Sequence, residues 1–331
     1  MRTILTFTAV LFLGILTGCE PKTGAIKSAG PNEGKVLLTV DFKDGQTLRY
    51  KFLSGRDVTI DWEPSKTDTE QGQTTLSKSS ESMEMIIAYT PVEINPYGLT
   101  TVKATCESVS VKRSDGTQKD AVKYFAGKTY TFKVGPTGKI EDNSQLNELV
   151  KKTGEKAFQP DTGRGKIKEP DMIGDYIASQ WFLWDAVAGI ENPSEGVDPG
   201  QSWQSKLSVP TPMVSREARN VTYRLEEIRE SEKGRLAVIS NTYSKADSTP
   251  KSWPIPYTGR FQMRGKFGFL GNYKLLDLQG DGEELFNIDL GRTEKYHQQY
   301  QVRLKAVIPL GIGDSPVITI KQNLTMNILE E

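Results

Sequence analysis

KTYTFKVGPTGKIED, Lys128 to Asp142, sets the character of the chain. Tyr130, Phe132 and Val134 fall on one side of an extended strand, and Thr129, Thr131 and Lys133 fall on the other. This is the period-two alternation of a strand with one buried and one wet face. Gly135-Pro136-Thr137-Gly138 then turns the chain back. Directly afterwards NSQLNELVKKTGEKAF places Leu146, Leu149 and Val150 at helical spacing, behind Asn143 or Ser144 as a cap and with Gly154 as a stop. Strands that hand over to a helix in this way argue for an α+β chain.

The same grammar extends outward. Upstream, KVLLTVDF (Lys35 to Phe42) and LRYKFLS (Leu48 to Ser54) flank KDGQT, whose Asp-Gly pair suits a hairpin, and VTIDW follows at Val58 to Trp62. Glu63 to Ser82 is polar and without period, which predicts a long exposed loop or a strand with a solvated face. MEMIIAYTPVEI (Met83 to Ile94) and LTTVKATCESVSVKR (Leu99 to Arg113) resume the β pattern around an Asn-Pro turn. Downstream, Gln159 to Pro170 is rich in Gly, Lys and Pro and separates a second half. That half opens on DMIGDYIASQWFLWDAVAG, where Met172, Ile173, Tyr176, Ile177, Trp181 and Trp184 form one apolar helical stripe closed by Gly189. Strand patterns then run to the end of the chain.

Gly127 to Val134 followed by Gly138 echoes Gly282 to Ile288 followed by Gly291, a short internal likeness. The expected fold is therefore α+β and β-rich: two similar halves of curved antiparallel sheet, residues 35–160 and 161–331, each with helical cover.

The first residues carry a different signal. Ile4 to Leu16 is apolar after a single basic Arg2, and it is too short to cross a bilayer comfortably. It stops at Leu16-Thr17-Gly18-Cys19, which resembles the lipobox of bacterial lipoproteins. That resemblance implies a signal peptide over 1–18, cleavage before Cys19 and a lipid on the Cys19 thiol. Residues 19–34 are rich in Gly, Pro, Lys and Ser and read as a flexible tether. Glu20, rather than Asp, after the cysteine favours the periplasmic face of the outer membrane under the enteric sorting rule. Two or three acyl chains hold a protein firmly where one holds it weakly.

Composition and the titratable residues exclude more than they propose. The 331 residues carry 42 basic and 42 acidic side chains, so no electrostatic case for nucleic acid exists. With Cys19 lipidated, Cys106 has no partner within the chain, and it reads as a small strand residue. His297 is the single histidine, which excludes a multi-histidine zinc site or a histidine pair for acid–base work. GQSWQ around Ser202 lacks the closing Gly of a nucleophile elbow, and GKT at Gly127 to Thr129 lacks the first Gly of a phosphate loop. Asp277, Asp281, Glu283 and Glu284 are acidic and Gly-rich but fail the EF-hand spacing and read as a charged turn. Glu226 and Glu227 point to opposite strand faces. No cofactor and no metal is expected, and no catalytic signature is found.

The mature chain also resembles the bacterial envelope lipoproteins grouped as domain of unknown function 6263, through AGKTYTFKVGPTGKIEDNSQLNELVKK, VDPGQSWQSKLSVPTPM and NVTYRLEEIRESEKGRLAVISNTYS. The resemblance implies an extracytoplasmic α+β body and no established activity. Three functions follow from the sequence. The first is an anchored binding or interaction module of the envelope, with an envelope protein as partner. The second is a carrier of lipid or another apolar ligand, in a groove between helix and curved sheet lined by Trp181, Trp184, Trp203, Phe267 and Phe269. The third is an envelope enzyme with an unrecognised carboxylate site.

Overall fold

The computed structural model describes residues 34–62, 76–114, 121–158, 172–208, 217–248, 271–307 and 315–329, and Lys35–Glu331 forms one compact unit. Its first strands are β1 (Leu48–Asp61), β2 (Leu76–Ile94), β3 (Thr100–Arg113), β4 (Thr129–Val134) and β5 (Ile140–Asp142). Helix α1 (Ser144–Phe158) follows, then α2 (Ile173–Trp181), a 3-10 turn at Phe182–Trp184 and α3 (Asp185–Ala188). The remaining strands are β6 (Ser202–Ser208), β7 (Ala218–Ser231), β8 (Gly234–Lys245), β9 (Gly271–Asn287), β10 (Arg292–Val307) and β11 (Val317–Leu329).

All eleven strands belong to one sheet, ordered β5-β4-β3-β2-β1-β11-β10-β9-β8-β7-β6, with antiparallel neighbours throughout. The chain is mainly β, and this overturns the expected pair of helix-covered halves. The first and last strands meet in the middle, with Arg49 opposite Leu329 and Asp61 opposite Val317, so the halves share a seam of backbone hydrogen bonds. The internal echo does not mark equivalent positions either, because β4 stands next to an edge of the sheet and β9 lies well inside it.

Period-two alternation builds this sheet. In β1 Tyr50, Phe52, Ser54, Arg56, Val58 and Ile60 are all buried and their neighbours are not. The strand runs unbroken through Gly55-Arg56-Asp57, where the sequence alone predicts a break between two shorter strands. Register shifts in the β2–β3, β7–β8 and β9–β10 pairs insert bulges, which bend a sheet and tighten its twist.

Helical cover is shared rather than divided. The predicted α1 is present and buries Leu146 and Val150. The predicted long aromatic helix is broken into α2, the 3-10 turn and α3, and this segment lies on the inner face against strands of both halves. Trp184 explains part of the break: Gly138, at φ +77°, lets the β4–β5 turn close onto it, and a Cβ there would sit 2.6 Å from Trp184 Cβ.

Candidate functional site

One level of the sheet is polar on both faces. On the inner face Arg113, Glu81, Arg56, Gln322, Tyr300, Gly280 and Tyr243 stand directly opposite one another, one from each strand from β3 to β8. Gly280 makes the row continuous, since a Cβ there would lie 2.6 Å from Tyr300 Cβ. Arg56 bonds Glu81 through Nε and donates from Nη1 to Asp175 Oδ2 on α2 at 3.0 Å, and Arg113 pairs with the other Glu81 oxygen at 2.6 Å. Asp175 also accepts from Ser54 at 3.3 Å and from Gln322, which in turn bonds Tyr300. Charges taken out of water need this degree of pairing. Desolvation alone would lower the Arg56 pKa, but Asp175 and Glu81 outweigh it and leave the guanidinium raised and charged.

This row and its outward-facing neighbours together line an open groove of about 1030 Å³ that crosses seven strands. At the usual strand spacing that is a run of roughly 30 Å. Its hydroxyls come from Ser80, Ser82, Ser114, Thr242, Tyr243 and Tyr300, and its amides from Gln279, Gln299, Gln301, Gln322 and Asn323. Its charges are of both signs, Asp57, Glu81 and Asp281 against Arg56, Lys112, Arg113 and Lys321. Among the described residues that line it, the only aromatic ones are Tyr243 and Tyr300, and none is aliphatic. Such a surface offers donors and acceptors along a line and gives little to an apolar ligand.

A second buried polar cluster fixes α3. Glu284 Oε2 accepts the Ala186 backbone N–H at 3.0 Å, and Glu284 Oε1 lies 2.8 Å from Thr293 Oγ1, which is 2.5 Å from the Leu183 carbonyl. A hydroxyl has one proton to give. If Thr293 gives it to Leu183, the bond to Glu284 needs a proton on the carboxyl, in keeping with burial pushing that group up to about 8. Asp185, also raised by burial, accepts from Tyr296 at 3.0 Å, and the Arg219 guanidinium lies 4.4 Å above the Tyr243 ring nearby.

Of the aromatic residues expected to form a groove, Trp181, Trp184 and Trp203 fall among the described residues. Trp184 is buried edge-on to Phe42, with ring centroids 5.6 Å apart. Trp203 is half-buried, stacks on Tyr223 at 5.7 Å and donates from its indole to the Ala186 carbonyl. Trp181 is half-buried at the end of α2. Phe267, Phe269 and Cys19 lie outside the described residues. Cys106 is buried, with its thiol pushed up to about 12 by desolvation. His297 faces outward opposite Glu283. Among the described residues no three His, Cys, Asp or Glu side chains are placed to hold a metal ion, and Asp281 and Glu283 are exposed while Glu284 is buried.

Sequence reasoning missed the inner polar row. Arg56 fell between two expected strands, Glu81 in a stretch expected as an exposed loop or a strand with a solvated face, and Asp175 off the expected apolar stripe of a helix. One signal was there to find it: Ser54 and Arg56 keep phase with Tyr50, Phe52, Val58 and Ile60.

No family model matches the chain, and no curated protein is similar to it in sequence. Among solved structures, lipovitellin, from a study of its lipid–protein interactions, is 12% identical over 88% of this chain, with a TM-score of 0.45. This chain spans 26% of that lipovitellin chain. OmpF of Salmonella typhi, in complex with daunomycin, is 9% identical over 85% of this chain and 97% of its own, with a TM-score of 0.20. At these values the likenesses carry nothing about function.

Proposed function

We propose that the protein is a lipid-anchored, extracytoplasmic binding module of the bacterial envelope, acylated on Cys19, with the groove across β3, β2, β1, β11, β10, β9 and β8 as its ligand surface. The observation that carries this reading is the groove itself: about 1030 Å³, open, and lined by hydroxyls, amides and charges of both signs. Its ligand is an extended polar segment that lies across the strands and exchanges hydrogen bonds with the groove's amide and hydroxyl groups. The lipobox motif supports the anchor. The test places a photo-crosslinking residue at Gln299 or, as a control, at exposed Glu226, in cells that make the acylated protein. An adduct at Gln299 and none at Glu226 is expected. No adduct at Gln299, or equal adducts at both, overturns the groove, while a mature protein with no lipid mass on Cys19 overturns the anchor.

A second reading, carriage of an apolar ligand, rests on the inner face. Phe52 stands between Met85 and Met326 there, with Met83 one pair further along, and methionines give an adaptable wall. The α2 helix covers this region and is held partly by polar bonds: besides Asp175, Gln180 Oε1 accepts from Tyr89 and Tyr130 at 2.7 Å each. In this reading the helix gives way to the ligand.

A further inference from the structure

At the end of the sheet where the body begins, four large apolar side chains stand exposed. The chain comes in at Lys35, Val36 bridges to Val197, the Val40 amide donates to the Pro136 carbonyl at 2.9 Å, and the Asp41 amide donates to the Gly291 carbonyl at 3.0 Å. The β2–β3 turn adjoins this rim, because Gly98 packs against the Pro136 side chain. On the same end Leu37 is 46% exposed, Val92 49%, Ile94 42% and Tyr97 89%.

The turn is stiff. Asn95 Oδ1 accepts from the Tyr97 and Leu99 amides at 2.9 and 2.8 Å, and the Gly98 amide donates to the Asn95 carbonyl at 3.0 Å. Its backbone groups are satisfied while its tyrosine ring stands out in solvent, so the exposure is built in rather than a product of slack.

We infer that this rim, with Tyr97, Ile94, Val92 and Leu37, is a second membrane contact that seats the body on the bilayer surface beside its own anchor. The inference rests on the anchored reading above. Fifteen residues, Glu20–Gly34, separate the lipidated cysteine from Lys35, so the rim where the body begins is the part of it joined to the lipid by the shortest stretch of chain. A tyrosine on a stiff turn, with branched apolar side chains behind it, suits the headgroup boundary, where an amphipathic ring keeps its hydroxyl wet and buries its body. A bilayer surface also accepts a few isolated apolar side chains, whereas a stable protein partner asks for a larger contiguous patch.

The test uses full-length acylated protein reconstituted into vesicles of phosphatidylethanolamine and phosphatidylglycerol that contain a nitroxide-labelled quencher lipid. Tyr97→Cys and Lys321→Cys variants each carry a maleimide fluorophore. Cys106 is buried with its thiol pushed up to about 12, so it stays unlabelled. Quenching at position 97 at least threefold stronger than at 321 is expected. Equal quenching in protein that floats with the vesicles overturns the seat and leaves the anchor standing. Protein that does not float overturns the anchor, and the seat with it.

Discussion

At the scale of the residue, Glu284 is the group that ties the molecule to pH. Its carboxyl is buried, and the Ala186 amide and Thr293 only partly offset the desolvation that pushes it up to about 8. A raised carboxyl binds its proton more tightly in the folded than in the unfolded chain. Its contribution to stability is therefore full below the ordinary value of 4.5 and is lost as pH rises through about 8. Asp185 is shifted in the same direction, with Arg219 and Tyr296 opposing its shift. Urea titrations at pH 5 and pH 8 will show the wild-type protein losing stability toward pH 8, by about 1 kcal/mol per pH unit over part of that window. In Glu284→Gln the fall will be smaller, and an unchanged fall would place the proton elsewhere. None of this was legible in the sequence, where Glu284 belonged to an acidic turn. Its burial depends on which face of β9 the register turns inward, and a lone stretch of Gly and acid does not announce that.

At the scale of the element, α2 is a buried helix with polar side chains where an amphipathic helix would have a wet face. Asp175, Ser179 and Gln180 are all buried, and Asp175 is the link from the helix to the Arg56–Glu81–Arg113 row. Asp175→Ala leaves a buried guanidinium short of one partner, and a loss of about 3–5 kcal/mol in urea unfolding is expected. The pair Asp175→Leu with Arg56→Met will recover much of it, because removing both charges also removes the need to solvate them. The strands that could be read from sequence are those with one dry and one wet face in strict alternation, such as β4 with Tyr130, Phe132 and Val134. The α1 helix was legible for the same reason, through Leu146 and Val150. The long stripe from Met172 to Ala188 was misread as one helix because periodicity reports a face and says nothing of a turn such as Phe182–Trp184, where tertiary contacts reset the winding.

At the scale of the whole molecule, the two surfaces of one sheet divide the functional readings. The groove is polar and open, and the inner face away from the Arg113-to-Tyr243 row is apolar and carries the chain's own helices. The carrier reading makes a whole-molecule prediction: native mass spectrometry of protein expressed without its anchor will show a bound lipid, and ligand-free protein will take up an apolar fluorescent dye as α2 yields. A ligand-free body that excludes the dye leaves the groove as the site. The joining of both halves into one sheet was beyond the sequence, since strand order is set by pairings between segments that no local pattern records.

The seam between β1 and β11 also sets a schedule. In any chain that is made and delivered from its N-terminus, β1 is in place with β2 on one side and nothing on the other until Val317–Leu329 arrives. During that interval a long run of unpaired backbone amides and carbonyls is open to other nascent copies, so the thirteen residues of β11 act as the closing stitch of the sheet.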